Sequence, residues 1–288
     1  MITPTPNPIL AAAFFAVGSC RGPERMARRQ GPWRPVRFPA LAVLLRHATR
    51  GLILFDTGYA PRYFDVLRRW PYWLLGPGLG ARLSAAETLP AQMLARCGVR
   101  PNEVQTLIVS HFHLDHFAGL RDFPSAEIVC AQAALASIQD LRTGGWKAAK
   151  HAYHPALLPA DFAARVRPLP DGDSCPAEGF ARTWDMFGDG SLRAVSLPGH
   201  AAGQIGLRFR CRDEEFFLVA DACWHEAGLS EHDGPHSLAE RLFWEDSAEG
   251  KETRRLLETF ARHQSEVHLI LSHCPRAVPR HVASSHLW

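Results

Sequence analysis

The chain has 288 residues, 47% of them hydrophobic and 21% charged, an ordinary globular composition that excludes collagen-like, coiled-coil and largely disordered classes. A chain of this length can bury a sizeable core without disulfide or metal staples. Its formal charge of +3 is too small to argue for nucleic acid or a membrane as partner. Two counts stand out: fifteen histidines, and three lysines against twenty-nine arginines. The histidines ask for an explanation, because neutral imidazole is the commonest metal ligand.

In chain order, the first apolar run is Ile9 to Ser19, which ends at Val17-Gly18-Ser19-Cys20, loosely like a lipoprotein cleavage site. No cationic residue precedes it, so a first strand over Ala13 to Gly18 is the expectation. Leu41 to Arg46 and Leu52 to Phe55 read as buried strands joined by a hairpin, the second ending in the turn Asp56-Thr57-Gly58. Residues 61–90 are rich in aromatic residues, Leu, Gly and Pro without clean periodicity, a pattern open to lining or covering a substrate site, to packing in a dimer and equally to an extra core helix. Leu89 to Cys97 has helical spacing and stops before Gly98. Val104 to Ser110 reads as a buried strand running into His111. Residues 131–170 look helical and then loop-like, a helical insertion. Leu192 to Leu197, Gly206 to Arg210, Glu215 to Ala220 and Val267 to Ser272 are further strands, with a helix over Glu249 to His263.

No apolar run reaches the ~18 residues of a membrane span. Seven scattered cysteines without a CxxC pair read as reduced thiols, hence a cytoplasmic protein. Without internal repeats or a composition break, one domain over 1–288 is expected.

His111-x-His113-x-Asp115-His116 places four metal-ligand side chains in six residues directly after a strand. Alternate residues 111 and 113 can face one metal while the following turn aims Asp115 and His116 at a second. Imidazole with carboxylate suits Zn²⁺, with Mn²⁺, Fe²⁺ or Co²⁺ as alternatives. His200, Asp221 and His273 each lie just past a predicted strand, and in layered α/β proteins ligands bind outside the strands' carboxyl ends.

The motif resembles the HxHxDH signature of the metallo-β-lactamase-fold hydrolases, here HFHLDH. The resemblance extends to Asp56-Thr57-Gly58, Pro198-Gly199-His200, Ala220-Asp221-Ala222 and Ser272-His273. It implies a four-layer αβ/βα sandwich. It also implies two divalent metal ions, one held by His111, His113 and His200, the other by Asp115, His116 and His273. Asp221 would bridge them, and Asp56 would orient a ligand histidine. A bridging aspartate argues against β-lactamase activity, and histidine rather than glutamate at 113 argues for hydrolysis over redox chemistry.

The N-acyl-homoserine lactonase-like branch is the most similar, through Val36-Arg37-Phe38-Pro39-Ala40 and Asp221-Ala222-Cys223-Trp224. What this implies is attack of metal-activated hydroxide on a small, partly hydrophobic lactone or ester, with Asp115 and Asp221 catalytic. Lactonases usually carry a tyrosine where this chain has Trp224, whose indole donates but is no acid. Trp224, Tyr63 and Phe64 are the substrate-binding candidates, within an aromatic stretch that continues through Trp70, Tyr72, Trp73, Leu74 and Leu75. His151, His154, His225, His232 and His236 read as surface or loop histidines. A homodimer is left open. A glyoxalase II-like thioesterase would need a C-terminal helical domain, and only fifteen residues follow His273. A phosphodiesterase of the same fold would need a basic insertion, and a non-enzymatic metal-binding protein would predict a missing ligand.

Overall fold

The computed structural model describes residues 8–74, 80–283 and 288. Leu75, at the end of the aromatic stretch, lies outside the described residues. Among the described residues, twelve strands form two six-stranded mixed sheets. The first takes β1 (Ile9–Pro23), β2 (Pro35–His47), β3 (Gly51–Phe55), β4 (Val104–Ile108), β5 (Glu127–Ala131) and β6 (Val166–Leu169), side by side in that order. The second takes β7 (Cys175–Ala177), β8 (Phe180–Asp185), β9 (Leu192–Ser196), β10 (Ile205–Cys211), β11 (Glu214–Leu218) and β12 (Val267–Ile270). Strands β3 to β6 run parallel, as do β11 and β12, and the other neighbouring pairs are antiparallel.

Alternation along the strands assigns the layers. Phe216 of β11 faces the first sheet and meets Phe14 of β1, ring centroids 5.6 Å apart. The next residue, Phe217, turns outward to Phe260 on the helix Ser247–His263. The main core therefore lies between the sheets, with Phe14, Leu45, Ile53, Leu207 and Leu218 buried in it. A second apolar cluster lies under the helix Ser247–His263, through Leu257 and Phe260. This is the αβ/βα sandwich. Parallel strands are buried on both faces, so their sequences read as continuous apolar runs, which is why β3, β4 and β12 are visible in the sequence.

The predicted helix Leu89–Cys97 forms with those bounds and ends on Gly98, whose left-handed φ of 67° lets its N–H reach Leu94. The hairpin joins His47 to Gly51. Other elements differ in length. The strand expected over Ala13 to Gly18 is the centre of a fifteen-residue β1, and β4, β11 and β12 stop two residues short of their predicted ends, where the site loops begin. Strands β5 to β8 were not foreseen. Glu127–Ala131 runs into the helix Gln132–Gln139 without a break in polarity, and β7 has only three residues.

Within the 61–90 stretch, Tyr63 and Tyr72 are core residues, the Tyr72 hydroxyl donating to the Tyr153 carbonyl, while Trp70, Trp73 and Leu74 are exposed. Trp70 stacks on Trp146 at 6.2 Å. Two histidines read as surface or loop residues are buried in their loops. His154 accepts from the Ala156 N–H, and His225 accepts from the Ala227 N–H. Among the described residues no helix is long and apolar enough to cross a membrane.

Candidate metal centre

The site sits where β3, β4, β9, β11 and β12 release their chains at one end of the sandwich. After β4, residues 109–113 are irregular, and a one-turn helix, Leu114–Phe117, carries Asp115 and His116. His200 follows β9, Asp221 follows β11 and His273 follows β12. All seven expected ligand residues converge. Three groups form whose ligand atoms lie within 4.8 Å of one another: His111, His113 and His200; His111, His116 and Asp221; Asp115, His116 and His273.

Asp221 lies between them. Its Oδ1 is 3.3 Å from His116 Nε2 and 3.2 Å from His273 Nε2, while its Oδ2 is 3.3 Å from His200 Nε2. His200 Nε2 is in turn 2.9 Å from His113 Nδ1. Asp115 Oδ2 is 3.5 Å from His273 Nε2.

The opposite nitrogens of His116, His273 and His111 are held by acceptors, which turns their inward nitrogens toward the centre. His116 Nδ1 donates to Asp56 Oδ2 at 2.8 Å. His273 Nδ1 donates to the Pro39 carbonyl at 2.6 Å. His111 Nδ1 lies 3.0 Å from Ser110 Oγ, which passes its own proton to Asp56 Oδ2 at 2.7 Å. The Ser110 N–H adds a further bond to Asp56 Oδ1 at 2.8 Å. Asp56 is fully buried at a left-handed φ of 54°, a conformation that Asp tolerates better than most residues. Ala220, just before Asp221, is also left-handed at 48°, where an alanine is strained.

Packing fixes the His200 loop from below. Gly199 has φ 114°, and a Cβ there would stand 2.2 Å from the Gly250 nitrogen at the start of the helix Ser247–His263. Only glycine allows that approach. Trp224 and Trp244 cover His200, with ring centroids 5.7 and 4.8 Å from it, and the Trp224 indole donates to Asp221 Oδ2 at 2.9 Å. Phe243 extends this aromatic wall from Trp224 outward. On the other side, the Tyr59 hydroxyl donates to Asp115 Oδ2 at 3.4 Å, and Tyr63 and then Phe64 stack edge-on behind it.

Burial drives the pKa of His111 and His200 well down and that of His113 to about 4, so these rings are neutral donors at pH 7. Burial also opposes charge on His116, but Asp221 and Asp56 together outweigh it and the pKa rises. His273 rises for the same reason, through Asp221 and Asp115. Asp221 goes well below the usual carboxylate range, because His273 and His116 outweigh its burial. Tyr59 is pushed up by burial and by Asp115, so its hydroxyl remains a proton donor.

The residues fit metal ions on their own chemistry. His111 Nε2 and Asp221 Oδ1 are buried without a hydrogen-bond partner, a costly state that a cation relieves. The donor set is imidazole and carboxylate, that of zinc and similar divalent ions. Ser110, Tyr59, Trp244 and the Pro39 carbonyl went unread in the sequence. Ser110 adjoins His111, and the turn after β3 aims Asp56 at it, but Tyr59, Trp244 and Pro39 reach the site only through tertiary packing.

The chain is 28% identical over 251 residues to a probable metallo-hydrolase of Mycobacterium tuberculosis, covering 81% of this chain and 74% of that protein. It is 26% identical over 204 residues to an N-acyl homoserine lactonase, AiiB, of Agrobacterium fabrum, covering 66% and 65%. A solved N-acyl homoserine lactone hydrolase, with N-hexanoyl-L-homoserine bound at its catalytic metal center, superposes with a TM-score of 0.68. That match has 15% identity and covers 92% of this chain and 94% of the other, a likeness of fold. The model of the metallo-beta-lactamase superfamily matches residues 35–222, from the first residue of β2 to just past Asp221. A match over well over half of the 288 residues, with the ligand hexad inside it, places this chain in the metallo-beta-lactamase superfamily.

Proposed function

We propose that this chain is a dinuclear-metal hydrolase that opens a small, partly hydrophobic lactone or cleaves an ester. One observation carries the reading: the two oxygens of Asp221 are divided between His200 on one side and His116 with His273 on the other. A carboxylate so placed suits a bridge between two cations, one held by His111, His113 and His200, the other by Asp115, His116 and His273. Zinc is the ion that this donor set favours. Two divalent ions held there would supply hydroxide at neutral pH and a Lewis acid for a carbonyl oxygen.

The chain's own residues do the rest. Asp56, Ser110 and the Pro39 carbonyl hold His116, His111 and His273 in the ligating orientation. The Trp224 N–H orients Asp221, in the place where lactonases usually carry a tyrosine. Asp115, beside the Tyr59 hydroxyl, is the group placed to take the proton that the attacking water gives up and pass it to the leaving alkoxide. The wall of Trp224, Trp244 and Phe243 excludes water on one side and offers an apolar surface to the substrate. The likeness to lactonases in sequence and fold supports the bond class. The test is turnover by metal-loaded protein of γ-lactones, aryl esters, thioesters and bis-4-nitrophenyl phosphate. Lactone or ester turnover supports the reading; turnover of the phosphodiester alone overturns it.

A further inference from the structure

A cavity of about 260 Å³ opens on the β1–β2 ribbon, lined by Ser19, Cys20, Arg21, Arg37 and Arg82 among others. That is less than the ~300–1,000 Å³ usual for a whole ligand, and room for one end of a substrate. Its charge comes from strand register. Arg21 on β1 lies directly opposite Arg37 on β2, and Ser19, two residues along β1, is bridged on its other side by Arg82. Directly opposite residues share a face, as do residues two apart on a strand, so all three arginines project from the same face of this ribbon. Like charges opposite one another destabilise a ladder. All three are exposed, and none forms an ion pair with a carboxylate among the described residues. Glu87 is the acid that senses Arg37, and it is bound to the Ser84 backbone. A protein of +3 overall has thus gathered three uncompensated guanidinium groups in one hollow.

The hollow is tied to the metal centre through the ribbon itself. Ser19 pairs with Pro39, whose carbonyl holds His273, and the Arg21–Arg37 pair lies about 7 Å further along the ribbon. Cys20, between Ser19 and Arg21, turns its side chain to the other face, where it meets the Tyr59 hydroxyl that donates to Asp115. We propose that Arg21, Arg37 and Arg82 form an anion-binding subsite, so that the ester or lactone cut at the metal centre carries an oxyanion, a carboxylate or a phosphate, at its far end. Guanidinium groups match such oxyanions with paired N–H donors. The inference rests on the hydrolase reading for the bond that is cut, but the anion site stands on its own geometry.

The test compares kcat/KM of metal-loaded protein for mono-4-nitrophenyl adipate and 4-nitrophenyl hexanoate, which share the ester and chain length and differ in one terminal carboxylate. The expected ratio favours the adipate by about tenfold or more at low ionic strength, and falls to about one in the Arg21→Gln/Arg37→Gln variant. An equal rate for both esters in the wild type, or a preference that survives in the variant, overturns the proposal. If neither ester is turned over, hydrolysis of esters is what fails, and the subsite is then read by calorimetric titration of adipate and of inorganic phosphate. Binding that the variant loses supports the site, with the tighter anion naming the group. No binding, or binding equal in the variant, overturns it.

Discussion

Trp224 and Asp221 are joined by an indole N–H that donates to Oδ2 at 2.9 Å, three residues apart across the turn after β11. The donor therefore orients the carboxylate whose oxygens lie within 3.3 Å of His116, His200 and His273. Trp224→Phe keeps the ring contacts with His200 and Trp244 but removes the N–H. The expected result is metal affinity lower by roughly 10–100-fold with little change in urea midpoint. Unchanged metal retention in a chelator competition would show that the bond does not matter.

Asp56 is the second test of the supporting shell. It accepts from the Ser110 N–H and hydroxyl and from His116, all fully or nearly fully buried. Asp56→Ala strands these donors, and stability is expected to fall by about 2–4 kcal/mol together with loss of bound metal. Equilibrium denaturation and metal analysis on the same preparation check both. A variant as stable and as metal-rich as the wild type would contradict the account.

Gly199→Ala tests the packing of the His200 loop. The new Cβ would stand 2.2 Å from the Gly250 nitrogen, at a φ of 114° that disfavours any side chain. Destabilisation of about 3 kcal/mol or more is expected, with loss of metal from the His111–His113–His200 group first. Thermal unfolding with and without added Zn²⁺ measures it, and a near-neutral effect would mean that the loop is free to move.

Metal loading should release protons. Asp221, with Asp56 or Asp115, raises the pKa of His116 and His273 against their burial, so the metal-free protein holds extra protons on these rings near neutrality. A ligating imidazole must give up that proton, so affinity should fall as pH falls and proton release should be positive at pH 7. Calorimetry in two buffers of different ionisation enthalpy reads the number released. Zero release would contradict the assigned protonation.

Much of the site was legible because its ligands are local or terminal to strong signals. The hexad is contiguous, and His200, Asp221 and His273 follow apolar runs that become β9, β11 and β12. The shell around them was not. Tyr59, Trp244 and the Pro39 carbonyl touch the centre only after the sheets pack; Tyr59 follows the marked turn Asp56-Thr57-Gly58 and Pro39 lies in the marked segment Val36 to Ala40, but neither segment shows that it reaches the centre. The arginine hollow is a matter of register: Arg21 and Arg37 become opposite only because the β1–β2 ladder shifts between Ala16 and Ser19. A one-residue slip would send their side chains to opposite faces. Of the strands missed, β5 and β6 adjoin helices, where polarity alone does not separate strand from helix, β7 has only three residues, and β8 mixes polar and apolar residues without clean alternation.

The most direct test of the central claim is metal content measured beside activity in the wild type and in Asp221→Asn. If Asp221 bridges two cations, the wild type should hold about two divalent metal ions per chain and hydrolyse a lactone or aryl ester. The variant should hold about one or fewer, with kcat/KM lower by at least ~10²-fold. An Asp221→Asn protein that keeps both metals and full activity would contradict the account.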